Sequence, residues 1–306
     1  MARRRTWPPE PPRELPPART VQLPGRGEVF LRDTGGDGEP VMLLHGWMVS
    51  ADLNWWGTYD ALVQAGYRVL AIDHRGHGRG MRALAPFTLL DCAADAAAAL
   101  RELALAPAVV IGYSLGGAVA QLLARDHPDV VTGAVLCATA AHWQDPATRR
   151  TWRAMGALGL MLSVAPRATY GLGFRRAGYH DSRATAWMQS EMMRNSSRDV
   201  AEAGRELGRF DSRAWLGSVQ VPVATVITTK DEVVPPSKQR ELAAAGGGLA
   251  FEVEINHLEN NQRGRDFNPV LLQAITAVRE RAAGDQPGAD GRPGETRSGR
   301  TGAEVA

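Results

Sequence analysis

The sequence predicts an α/β architecture: a mainly parallel sheet flanked by helices on both faces and interrupted once by a helical insertion. Three observations carry this. Short apolar runs rich in Val, Ile and Leu alternate with helix-forming stretches through most of the chain. Runs of about four to eight such residues suit strands buried on both faces. Strand–helix alternation in turn demands parallel neighbours joined by right-handed crossovers. Finally, the alternation lapses from about Ala141 to Arg213, where Trp, Met, Gly and Arg accumulate without a strand pattern.

Residues 1–20 hold six prolines and five arginines and have no helical or strand period, so they are expected to be a disordered tail. Val41–Leu44 reads as a buried strand and Asp52–Ala65 as the helix that follows it. Arg68–Asp73 and Asp91–Leu103 are the next strand and helix. Val109–Gly112 runs directly into the helix Leu115–Asp126, and Val131–Cys137 is the last strand before the insertion. Val221–Thr228, Ser237–Ala245, Leu249–Ile255 and Phe267–Arg281 resume the alternation, and residues 283–306 return to Gly, Pro, Ser, Thr and charge. The expected organisation is an α/β core from 21–140 and 214–282, a helical cap at 141–213, and disordered tails at 1–20 and 283–306. The cap would lie over the carboxyl edge of the sheet, where such sheets place their ligands.

The 306 residues, 44% apolar and 22% charged, fit an ordinary globular protein with a full core and exclude a wholly disordered, collagenous or small disulfide-stapled chain. Thirty-five basic residues against 33 acidic ones leave a formal charge of +2, which does not point to nucleic acid. Cys92 and Cys137 sit in apolar stretches and read as small buried hydrophobes of a reducing compartment. The histidines and cysteines show no metal-ligand spacing. Arg3, Arg4 and Arg5 are followed by Trp7, Pro8 and Pro9 rather than an apolar run, so no export signal is expected. The longest nearly uncharged apolar stretch, Ala154–Pro166, has 13 residues, short of the roughly 20 that span a bilayer. A cytoplasmic location is expected.

The sharpest motif is Gly112-Tyr113-Ser114-Leu115-Gly116-Gly117, placed between an apolar strand and a helix. In that context a G-x-S-x-G sequence is a nucleophile elbow: a tight turn lifts the serine hydroxyl above the sheet, and the flanking glycines avoid collisions within it. A serine hydroxyl needs a base, and the base needs an orienting acid. Of seven histidines, only His142, His180 and His257 lie well past the elbow helix and its end at His127. The first two fall in the insertion, whereas His257 lies just past a strand end and is the expected base. Asp231, directly after the strand ending at Thr228, is the expected acid, with Glu232 and Asp145 as competitors. A tetrahedral intermediate would need backbone donors, for which the amides of Leu115 and of Trp47, in the loop His45-Gly46-Trp47, are the candidates. His45 reads as a structural residue that fixes this loop.

In this order and spacing, His45-Gly46-Trp47, Asp73-His74-Arg75-Gly76-His77-Gly78, the serine elbow, Asp231 with Val234-Pro235, and His257 resemble the α/β-hydrolase superfamily over about residues 25–282. The first two motifs look most like its carboxylesterase and cofactor-free haloperoxidase branch. The resemblance implies the α/β-hydrolase fold, a triad of Ser114, Asp231 and His257, an oxyanion hole at Trp47 and Leu115, and a structural role for Asp73–Gly78. It implies no metal and no organic cofactor. Serine at the elbow argues against the epoxide hydrolases and haloalkane dehalogenases, which place an aspartate there. The chain departs from the family pattern with Arg79-Gly80, where a serine usually follows, and with Asn256 before the histidine and Glu259-Asn260-Asn261 after it.

The expected activity is hydrolysis of a carboxylic ester or thioester with a hydrophobic acyl group, the partner being a small molecule. Perhydrolysis, or cleavage of a carbon–carbon bond, would use the same triad, and a ligand-binding sensor would use the pocket without turnover. Ala154–Pro166, apolar nearly all round, is expected to be buried core or pocket lining. Trp143, Trp152 and Trp187 are expected to share one of those roles. Arg149, Arg150, Arg153, Arg167, Arg175 and Arg176 flank it, either as a solvated face or as a contact for an anionic lipid surface or phosphate-bearing substrate. The sequence leaves the oligomeric state open.

Overall fold

The computed structural model describes residues 8–284, apart from the side chains of Ala147 and Arg149. Its strands are β1 (Ala18–Leu23), β2 (Gly27–Asp33), β3 (Glu39–Leu44), β4 (Tyr67–Ile72), β5 (Ala108–Tyr113), β6 (Val131–Cys137), β7 (Val223–Thr228) and β8 (Leu249–Val253). They form one sheet in the order β1-β2-β4-β3-β5-β6-β7-β8. From β4 to β8 every neighbouring pair is parallel. The β1–β2 hairpin joins this edge antiparallel. Every residue of β5 and β7 is buried, as a central parallel strand covered on both faces requires.

The core helices are α1 (Ala51–Trp55), α2 (Tyr59–Gln64), α3 (Leu89–Glu102) and α4 (Leu115–Asp126) before the insertion, which carries α5 (Pro146–Arg153), α6 (Met155–Val164), α7 (Pro166–Arg176), α8 (Arg183–Met192) and α9 (Ser197–Arg209). After it come α10 (Pro236–Ala245) and α11 (Gly264–Gly284). The two-residue period of the strands sends Met42 and Leu44 into a core with α3 and α4, and Val41 and Leu43 into a second core with α1, α2 and α11.

Three expectations are corrected. The segment read as one helix, Asp52–Ala65, is two. The two part in a turn at Gly57, where only glycine fits: a Cβ would lie 2.7 Å from the Asn261 carbonyl oxygen. The β1–β2 hairpin went unread because β2 buries alternate residues, Val29, Leu31 and Asp33, instead of a continuous run. The boundary expected at residue 20 therefore falls inside β1, and the chain ahead of it is tied down: Arg32 donates to the Pro16 carbonyl at 2.8 Å and the Asp33 amide to Pro17 at 3.1 Å. At the other end α11 runs to Gly284, past the boundary expected at 282. The remainder of the two expected tails, residues 1–7 and 285–306, lies outside the described residues.

The third correction concerns Ala154–Pro166. Of its large side chains, Met155 and Leu162 are buried, but Leu160, Met161 and Val164 are exposed at 65%, 51% and 76%. One α-helix cannot bury all its faces against a single layer; α6 lies on α9 and turns the opposite side outward. Among the described residues no helix is long and apolar enough to cross a membrane.

Candidate active site

Strand β5 ends at Tyr113 and α4 starts at Leu115, so Ser114 alone makes the turn. It does so at φ 53° and ψ −115°, a conformation that side-chain-bearing residues seldom hold. The turn is tight: a Cβ on Gly112 would collide with the Gly116 carbonyl, and one on Gly116 with the Leu44 carbonyl. The Ser114 amide donates to Cys137 at 2.9 Å, and its carbonyl accepts from Thr139 Oγ1 at 2.7 Å. Backbone strain here is held by bonds on both sides of the residue.

His257 Nε2 lies 3.1 Å from Ser114 Oγ, and its Nδ1 lies 2.7 Å from Asp231 Oδ2. A carboxylate only accepts, so Nδ1 carries the proton and Nε2 is left to accept from the hydroxyl. Asp231 is buried and its other oxygen takes the amides of Val233 and Val234, both at 2.8 Å. Thr228 Oγ1 donates to Oδ2 at 2.7 Å. The competitors are elsewhere: Glu232 is exposed, and Asp145 is paired with Lys238. His142 bridges to Asp211 in the insertion, and His180 is exposed. Cys92 and Cys137 are free and buried, and burial raises both thiols above their ordinary range.

The loop after β3 brings Gly46 and Trp47 beside the serine, with the Gly46 Cα direction opening onto Ser114 Cβ. Leu115 is the first residue of α4, so its amide has no partner within the helix. Among the described residues the Trp47 amide likewise donates to nothing. The Trp47 indole donates instead to the Val200 carbonyl of α9 at 2.8 Å. His45 is wholly buried; its Nδ1 faces the Gly46 carbonyl at 2.7 Å, while its Nε2 accepts from the His74 amide at 2.9 Å. Burial and the neighbouring His74 and His77 hold its pKa well below the ordinary value. Burial likewise depresses His74 to about 3 and His77 to about 4, so this cluster is neutral. Asp73, raised by burial to about 6, accepts from the Ala51 and Arg79 amides at 2.7 Å each.

Several residues escaped sequence reasoning. Tyr113 Oη donates to the His257 carbonyl at 2.9 Å, and burial keeps its phenol protonated. Asn54 Oδ1 accepts from the Gly46 amide at 2.7 Å, and its carbonyl accepts from Asn260 Nδ2 at 2.7 Å. Asn261 accepts from the Gly57 amide and donates to Leu53. The loop bearing His257 is thereby fastened to the loop bearing Trp47. The signal available was the asparagine pair three and four residues after the histidine.

Above Ser114 a cavity of about 410 Å³ is lined by Trp47, Met48, Leu53, Leu158, Tyr170 and Phe174 among others, and by His257. Trp143, Trp152 and Trp187 do not line it; Trp143 and Trp187 are buried, and Trp152 donates to the Trp143 carbonyl at 2.9 Å. A second, more polar cavity of about 720 Å³ adjoins it across His257 and Leu258.

The α/β hydrolase fold family matches residues 39–159. A non-heme chloroperoxidase of Burkholderia pyrrocinia is 31% identical over 227 residues, covering 68% of this chain and 80% of that protein. A non-heme haloperoxidase of Rhodococcus erythropolis is 44% identical over 110 residues. That match spans 36% of this chain and 39% of the relative, and the match to a non-heme chloroperoxidase of Streptomyces lividans likewise spans only 43% of the relative. Among solved structures, a hydrolase from Pseudomonas aeruginosa PA01 superposes with a TM-score of 0.74 at 24% identity, covering 84% of this chain and 98% of that one. The enol-lactonase from Burkholderia xenovorans LB400 does so with 0.68 at 24% identity, covering 84% and 100%. At that identity the two structures speak for the fold alone. Fold, motif order and the chloroperoxidase match together make the chain a member of the α/β-hydrolase superfamily.

Proposed function

We propose that the protein is a serine hydrolase that cleaves a carboxylic ester or thioester with a hydrophobic acyl group, under a cap formed by the 141–213 insertion. The observation that carries this reading is the unbroken hydrogen-bond line from Asp231 through His257 to Ser114, ending in a strained turn beneath an apolar cavity. The cavity falls in the size range of small-molecule sites.

In this mechanism Ser114 Oγ attacks the acyl carbon as His257 Nε2 takes its proton. The carbonyl oxygen becomes an oxyanion facing the Trp47 and Leu115 amides, each worth about 3–4 kcal/mol in such sites. His257 returns the proton to the departing alkoxide or thiolate, leaving an acyl-serine. Water then attacks the acyl carbon, its proton passing to His257, and the serine is released with the carboxylic acid. Asp231 keeps the Nδ1–H tautomer and stabilises the transient imidazolium. No step draws on a cofactor. A second reading, perhydrolysis, is favoured by the haloperoxidase names of relatives: hydrogen peroxide would replace water on the same acyl-serine.

Turnover of p-nitrophenyl esters from acetyl to palmitoyl, wild type beside Ser114→Ala, tests the proposal. The expected result is a fall in kcat of about 10^6 in the variant, with a chain-length optimum set by the cavity. Equal turnover in the two proteins would overturn it, and tight ligand stabilisation without turnover would favour a sensor.

A further inference from the structure

The outward face of α6 and α7 remains unexplained by the site beneath it. Ala157, Leu160, Met161 and Val164 are exposed and follow the i, i+3, i+4, i+7 spacing of one helical stripe. Leu172 adds to them on α7 at 43% exposure. Four of the nine large apolar side chains exposed among the described residues thus lie on these two helices. Thr169 Oγ1 bonds back to the Met161 carbonyl at 3.3 Å, so the start of α7 adjoins the end of α6.

The charge around this stripe is of one sign. Residues 146–180 hold six arginines and no carboxylate. Elsewhere the arginines are largely paired; Arg26, Arg32, Arg68, Arg75 and Arg79 each contact a carboxylate. Among the described residues Arg150, Arg153, Arg167, Arg175 and Arg176 contact none. Such unpaired cations bordering exposed leucine, methionine and valine suit a surface that is anionic at its face and apolar just beneath.

We propose that the outer face of α6–α7 docks on an anionic lipid bilayer, the arginines meeting headgroup phosphates and the apolar stripe entering the interface. The underside of the same two helices, through Leu158, Tyr170 and Phe174, roofs the apolar cavity, and the exposed residues Gly173 and Ala177 line its opening. An apolar ester dissolved in the bilayer therefore has a short path to Ser114. This delivery step rests on the hydrolase reading; the docking does not.

The test is flotation of the full chain with vesicles of phosphatidylcholine alone or with about a third phosphatidylglycerol, read by protein recovered rather than by turnover. The wild type is expected to float with the anionic vesicles, to be released by high salt, and to ignore the neutral ones. Replacing Arg153, Arg167, Arg175 and Arg176 by Gln should weaken partitioning about fivefold for each arginine. Leu160→Ser with Val164→Ser should weaken it without abolishing the salt dependence. Both variants should hydrolyse a soluble short-chain ester as the wild type does, since none of these side chains lines the cavity. Equal flotation of wild type and variants, or no flotation at low salt, would overturn the proposal. So would light scattering that showed two copies of the chain joined through this stripe.

Discussion

Glu191 offers the most direct perturbation of the contact between core and insertion. It lies on α8, its side chain only 3% exposed, and accepts two bonds from Arg79 at 2.8 Å and one from Arg194 at 3.0 Å. Arg79 also faces Asp52 of α1 at 3.4 Å, and Asp52 is held by Arg32 of β2 at 2.7 and 2.9 Å. Glu191→Ala leaves Arg79 with the weaker contact alone. Breaking a buried pair costs about 3–5 kcal/mol. Arg79 is a quarter exposed, so water recovers part of that, and we expect a loss of about 2–3 kcal/mol. For a domain of this size that lowers Tm by about 3–5 °C. Denaturant unfolding of Glu191→Ala, Arg79→Met and the double variant should give a coupling of at least about 1 kcal/mol. Met188 and Met192, on the same helix, line the cavity, so KM for an apolar ester should rise more than kcat falls. A loss below about 0.5 kcal/mol, or no coupling in the cycle, would refute the reasoning and leave the insertion held by its other contacts, such as those of Asn195 with Gly78 and Glu202 with Phe87.

Two further outcomes follow from the buried groups. His45, His74 and His77 are neutral in the fold but titrate near 6.5 when unfolded; their stabilisation is present above that pH and is lost as pH falls toward their folded values. Asp73, raised to about 6, acts oppositely, its contribution being present below about 4 and lost as pH rises through 6. Three protons against one leave about two taken up on unfolding near pH 5, a slope of about 2.7 kcal/mol per pH unit; denaturation at pH 7, 6 and 5 measures it, and a flat profile would mean that the cluster is already charged in the fold. Tyr113→Phe removes the donor to the His257 carbonyl, which should cost about 1 kcal/mol of stability and lower kcat at unchanged KM. An unaltered kcat would mean that Asp231 and the Asn260–Asn261 contacts position the base without it.

The parallel strands were legible because continuous apolar runs such as Val131–Cys137 have few other uses, and that strand is found with those bounds. The β1–β2 edge was not, since a half-covered strand spreads its signal over alternate residues. The serine, the acid and the base were legible as residue types at ordered positions after strand ends, and the structure brings all three together. Their supports were not. Asn54 reads as an ordinary helix residue until its side chain meets the Gly46 amide, and nothing local to Glu191 announces Arg79, 112 positions away. Long-range polar contacts leave no periodicity.

The two places where the chain departs from its family's pattern hold partners of those supports. Arg79, standing where a serine is usual, reaches from the Asp73 loop to α8 and couples the insertion to the core through charge. Asn260 and Asn261, following the histidine, carry the His257 loop to α1, whose Asn54 holds Gly46. A two-pronged charge contact of this kind is directional, whereas the apolar contacts of α6 on α9 are not. The core-facing side of the insertion is therefore pinned at α8, while α6 and α7, with exposed apolar side chains and unpaired arginines, are joined to the core mainly through other insertion helices. A surface that engaged α6–α7 would act on the roof of the cavity without disturbing the Asp231–His257–Ser114 line, which is fastened separately from below.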